Sequence, residues 1–191
     1  MMSEVWREYS GGVAVQGVGV RALWERRAQW TGVLCSRRVP ASLILAAQDF
    51  ANAAARDEQS VFVSGWQSPV EQEIFRILRR ENAPLIGVAA REIAGARLPR
   101  AWREAVEGGT MAVVSPFPDA ARLTRKRAVQ RNRWILENCP RVIVPHAAPG
   151  GELHALLLEI LQTPGAPRIE VFAHELHAKL LQCGAQACPY P

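Results

Sequence analysis

From about residue 30 the chain alternates short, near-continuous apolar runs with longer amphipathic ones. No other feature restricts its folding as sharply. The runs TGVLCS (31–36), SVFVSG (60–65), PLIGVAA (84–90), TMAVVS (110–115), RVIVPHA (141–147) and RIEVFA (168–173) read as strands. They lack the polar alternation of a sheet with one wet face, so both faces are expected to be buried. Helical patterns lie between them at 41–56, 68–82, 98–109, 120–138 and 151–162. Ser68, Pro69 and Glu71 supply a capping box and a favoured first helical residue, and Gly108-Gly109 closes the third helix. Strands alternating with helices predict an α/β, Rossmann-like three-layer fold with a mostly parallel central sheet. The expected layout is an N-terminal extension over 1–29, the Rossmann domain over 30–173 and a C-terminal tail over 174–191.

A length of 191 residues suits one domain with a sizeable core. A hydrophobic fraction of 49% and a charged fraction of 21% exclude a largely disordered chain. The formal net charge of +5 and pI near 9.5 favour anionic partners. No apolar stretch reads as a signal peptide or membrane span. Cys35, Cys139, Cys183 and Cys188 are scattered, as in a reducing compartment, and the expected location is cytoplasmic.

In a parallel sheet of this kind, ligands gather at the carboxyl ends of the strands. Ser36 and Arg37 follow the first apolar run there, and Ser64, Gly65, Gln67 and Ser68 follow the second. Gly150 and Gly151 open the helix after the fifth. Glycine permits tight turns and close approach of a ligand, and helix starts present free N–H groups to phosphate. An ordinary strand-to-helix turn needs the same residues. No Gly-Lys-Ser/Thr follows the glycines and no G-x-G-x-x-G exists, which excludes a Walker loop and the usual dinucleotide fingerprint.

TRKRAVQRNRW (124–134) places five cations between Arg125 and Arg133. On a helix, Ala121, Ala128, Val129, Ile135 and Leu136 share a face, with Asn132 in its middle and Arg131 and Arg133 on its flanks. Arg122, Arg125, Lys126 and Arg127 are expected to form an outward basic track, or simply a solvated face. Trp66 and Trp134 are candidate stacking platforms for bases or core residues.

His174, His177, Cys183 and Cys188 match no common metal spacing, so neither a metal nor a cofactor is expected. His146 and His154 lack a paired carboxylate or nucleophile and read as structural.

GVLCSRRVP, VFVSGWQSPVEQEIFRIL, VVSPFP, QRNRWILEN and VIVPHAAPGGELHALLLE occur in an order and spacing that resemble the DNA-processing protein A (DprA/Smf) family. The likeness covers roughly residues 30–173. That family belongs to a wider superfamily with the LOG-type phosphoribohydrolases. The resemblance implies single-stranded DNA binding at the rim, a part in DNA processing or recombination, and a homodimer. It assigns the family's Gly-Ser-Arg to Cys35-Ser36-Arg37, its Ser-Gly to Ser64-Gly65, its Arg-Asn-Arg to Arg131-Asn132-Arg133, and a later Ser-Gly to Gly150-Gly151. Cys35 stands where the family has glycine, and WQSPVEQE replaces its Gly-Ile-Asp continuation. Two alternatives stay open: a sensor of a nucleotide-derived ligand, and a LOG-like hydrolase of nucleoside monophosphates, for which Pro149-Gly150-Gly151 match but the following Gly-Thr does not. No catalytic residue is assigned.

Overall fold

The computed structural model describes residues 5–10, 12–119 and 122–189. Each of the six expected strands is present: β3 (Trp30–Val33), β4 (Val61–Ser64), β5 (Leu85–Val88), β6 (Met111–Ser115), β7 (Arg141–Val144) and β8 (Arg168–Val171). They pair in parallel in the order β6-β5-β4-β3-β7-β8. Two short strands, β1 (Trp6–Ser10) and β2 (Val13–Gly19), form an antiparallel hairpin on β6. A ninth, β9 (Gln186–Ala187), lies beside β8.

The apolar runs are continuous because successive residues enter different cores. Val61 and Val63 face one layer while Phe62 faces the other; Val142 and Val144 are likewise divided from Ile143. One layer holds α2 (Ala41–Ala54), α3 (Pro69–Arg80) and α4 (Arg100–Glu107), through Phe50, Ile74 and Trp102. The other holds the short α1 (Ala22–Glu25), α5 (Arg125–Asn138), α6 (Glu152–Leu161) and α7 (Ala178–Gln182). This is the three-layer Rossmann-like arrangement.

The two chain ends are more tightly integrated than their patterning suggests. In the stretch expected as an extension, Trp6 and Trp24 join Trp30 and Trp134 in one aromatic cluster, with the Trp24 and Trp134 rings stacked at 6.3 Å. Arg27 caps it, its guanidinium 4.0 Å from the Trp24 ring centroid. In the stretch expected as a tail, Leu180 and His177 are fully buried. Short strands and single-turn helices carry too few residues to show a period, so the sequence pattern missed them.

β3 is where the chain reverses its direction of travel across the sheet. Strands β4 to β6 are added on one side of it, and β7 and β8 on the other. Such a switch point leaves a crevice outside the carboxyl ends of two neighbouring strands. Here the crevice lies between the loops after β3 and β7.

Candidate nucleic-acid interface

The loops on either side of the switch point are joined by two hydrogen bonds. The Ser36 amide donates to the His146 carbonyl at 2.9 Å, and the Ala148 amide donates to Ser36 Oγ at 2.9 Å. Ser36 is therefore a bracket between the two loops. Beside it opens a cleft of about 860 Å3 that Ser36, Arg37, Gln67, Ser68, Arg125, Arg131, Asn132 and Gly151 line together. Arg38, Glu71 and Glu152 also line it.

Glu71 organises the floor. It is buried, and its carboxylate accepts from the amides of Cys35 at 2.8 Å, Gln67 at 2.8 Å and Ser68 at 3.1 Å. Its own amide donates to Ser68 Oγ, which completes the capping box at the start of α3. This corrects one expectation. The amides after Ser64-Gly65 are not open to a phosphate: Ser64 Oγ takes that of Trp66, and the Glu71 carboxylate takes those of Gln67 and Ser68. The sequence showed the capping box but not that the same carboxylate would reach across to Cys35.

Arg131 is the cation that the fold commits to the cleft. Its side chain lies against Gly65, so closely that a Cβ at that position would overlap the guanidinium carbon. It is 4% exposed. Nε and Nη2 donate to Asn132 Oδ1, at 3.2 and 2.8 Å, while Nη1 is buried without a partner among the described residues. Burial lowers the guanidinium pKa from its ordinary value; the Glu71 charge opposes that shift and the Arg37 charge adds to it. A guanidinium with an unused donor beside a cleft has a charge-assisted hydrogen bond to offer an anion.

The inward face of α5 also differs from the one its spacing predicts. Asn132 was expected at the centre of the buried face, with Arg131 and Arg133 flanking it. The buried residues are Arg131, Trp134, Ile135 and Leu136. Trp134 stacks in the aromatic cluster, and counting it as a core residue turns the inward face toward Arg131. Arg133 points away to α6, where it forms a two-bond ion pair with Glu159 at 2.9 and 2.6 Å. Ala121, expected on the same face, lies outside the described residues.

The remaining expected positions divide. Gly65 borders a neighbouring cleft, and Ser64 is fully buried with Oγ accepting from the Trp66 amide. Gly150 is exposed with φ of 73°, a turn that only glycine adopts without strain, but it does not line the cleft. Gly151 does, as the cap of α6. On α5 and the loop before it, Arg122, Arg125 and Lys126 are exposed and Arg127 half-buried. Arg125 reaches the cleft and pairs with Glu152 at 2.9 Å, and Arg127 donates to the Arg122 carbonyl. Trp134 is core, and Trp66 is buried with its indole N–H bonded to the Ile86 carbonyl.

His146 and His177 sit behind the switch-point loops. His177 Nδ1 lies 2.7 Å from the Phe172 carbonyl, so it carries the proton and donates. Its Nε2 then accepts from the Ala147 amide, and from His146 Nδ1 at 3.1 Å. Both rings are neutral in this chain of bonds. Burial, followed by the charges of His177 and His174, pushes His146 from 6.5 down to about 4; burial also lowers His177. Between those pH values an unfolded chain binds the proton that the folded chain refuses. Stability is therefore complete above about pH 6.5 and falls as pH drops toward about 4, by up to about 1.4 kcal/mol per pH unit for one group. Thermal melts across pH 4–7 should show this slope, and His146→Gln should flatten it.

No protein-family model and no curated protein matches the chain. Solved structures do. The fold is similar to that of DNA processing protein A from Streptococcus pneumoniae, at 17% identity and a TM-score of 0.70, over 95% of this chain and 65% of that one. It is also similar to DNA processing protein A from Helicobacter pylori, at 14% identity and a TM-score of 0.75, over 96% of this chain and 89% of that one. The structure of the H. pylori protein is described for its single-stranded DNA binding mode. A molybdenum cofactor binding protein from Rippkaea orientalis shares the fold more distantly, at 14% identity and a TM-score of 0.55, over 85% and 90% of the two chains. The resemblance carried by the sequence motifs thus extends to a DprA-like, Rossmann-like fold. Among the described residues no helix is long and apolar enough to cross a membrane.

Proposed function

We propose that this protein binds single-stranded nucleic acid through its phosphates, in the cleft at the carboxyl rim of the sheet, as part of DNA processing or recombination. The observation that carries the reading is Arg131, a buried guanidinium with an unpartnered Nη1 in a cleft that Arg37, Arg38 and Arg125 also line. Burial of such a charge is costly; Glu71 offsets part of that cost, and a phosphate in the cleft would offset more. The exposed Arg122 and Lys126, with Arg127, extend positive charge away from the cleft along α5 and guide a strand toward it. Similarity to two DNA processing proteins supports the same reading. Self-association as a homodimer in the cytoplasm belongs to this proposal, and sedimentation of the purified chain tests the dimer.

Three or four phosphates held by these cations give a slope of about −2 to −3 in log K against log salt for a single strand. A titration of labelled oligothymidylate measures it. Undetectable affinity at low ionic strength would sink the nucleic-acid reading. The same cleft chemistry suits a single nucleotide, and thermal stabilisation by nucleoside monophosphates without released base would favour a sensor. Released base would point to the hydrolase.

A further inference from the structure

A second cleft, of about 670 Å3, lies beside the first and shares Arg37, Gln67 and Leu123 with it. Arg76, Arg79 and Arg91 also line it, together with a group of aromatic side chains. The buried rings of Trp66, Phe75 and Trp102 line it, with the Trp66 and Phe75 centroids 5.4 Å apart. The volume falls within the ordinary range for small-molecule sites.

Trp66 is held there against its backbone preference. Its φ of 50° lies in the left-handed region, where a bulky residue is strained. Its amide donates to Ser64 Oγ, and its indole N–H to the Ile86 carbonyl. Such strain persists where the surroundings hold a residue in place. Its neighbour Gly65 carries the Arg131 guanidinium. Gly65 and Trp66 both line the second cleft, and Gly65 joins it to the first through its contact with Arg131.

We infer that the second cleft takes a nucleobase, belonging to the same strand or nucleotide whose phosphate Arg131 holds; this rests on the function proposed above. A nucleotide joins an anion to a flat ring across one sugar, and the two clefts adjoin through Arg37, Gln67 and Leu123. Trp66, Phe75 and Trp102, each at most 8% exposed, supply an apolar wall for a base to pack on, and the Gln67 amide supplies hydrogen bonds to a base edge.

The test compares a labelled oligothymidylate with an abasic oligonucleotide of equal length at low ionic strength. The abasic strand is expected to bind at least about fivefold more weakly, since a base packed on aromatic side chains contributes about 1–3 kcal/mol. Ala101→Trp, placed on the α4 wall of the second cleft, should remove that preference by weakening the base-bearing strand and leave the abasic affinity unchanged. Gln72→Trp, at the exposed mouth, gives a second filling variant should the first fail to fold by circular dichroism. Equal affinity of the native protein for both strands would overturn the inference while leaving phosphate binding intact. So would a folded filling variant that keeps the full preference. Binding of neither strand would overturn the parent reading, and this one with it. Competition by thymidine monophosphate identifies a free nucleotide as a sufficient ligand, whereas its failure to compete, with the preference retained, assigns the cleft to a base within a strand.

Discussion

Glu71→Ala is expected to destabilise the protein by about 3–5 kcal/mol, the largest effect of any single change at the rim. The carboxylate accepts from three amides in two loops, and Cys35, Gln67 and Ser68 would each lose their acceptor at once. Glu71 also opposes the burial penalty on Arg131, so its removal leaves a buried guanidinium without a nearby negative charge. Glu71→Gln keeps the shape and one acceptor oxygen, but turns an NH2 group toward N–H donors. It should fall between native and Glu71→Ala. Urea denaturation at neutral pH measures both, and a cost below about 1 kcal/mol for Glu71→Ala would show that the loops are held by other means. Because the carboxylate joins the loops after β3 and β4, the less stable variants should also bind anions poorly even where they remain folded.

The architecture was legible in the sequence for a physical reason. A strand buried on both faces must be apolar throughout, so β3 to β8 could be located from runs such as VFV and VIV alone. The site was only partly legible. Residues adjacent to strand ends, such as Ser36, Gln67 and Gly151, come to the cleft because the topology brings them there. Which arginine of 131–133 turns inward depends on how α5 rolls on the sheet, and that is set by Trp134 meeting Trp24 and Trp30. Trp24 lies in a stretch whose pattern gave no sign of belonging to the core. Glu71 was visible as a capping residue, but its bond to Cys35 spans 36 residues and has no local signature. Arg38 is adjacent to Arg37 in sequence, and nothing local distinguished it.

Arg131→Ala should separate binding from folding. A hydrogen bond to a charged group contributes about 1.5–3 kcal/mol, so affinity for a single strand is expected to fall roughly tenfold to a hundredfold. Stability should fall by less than for Glu71→Ala: losing the positive charge beside buried Glu71 costs stability, and removing an unpartnered buried donor offsets part of that cost. Gly65→Ala offers a route to the same end with Arg131 still present. The added methyl overlaps the guanidinium carbon, and the flexible side chain, rather than the backbone, has to give way. Arg133→Ala is the control. Its partner Glu159 lies on α6 with its side chain 60% exposed, and surface pairs of this kind contribute about 0–1 kcal/mol. Binding should therefore survive that change almost unaltered. Anisotropy titrations and thermal melts on the three variants decide the matter. If Arg131→Ala binds like the native protein, or Arg133→Ala loses affinity as severely, the anion is held elsewhere on the rim.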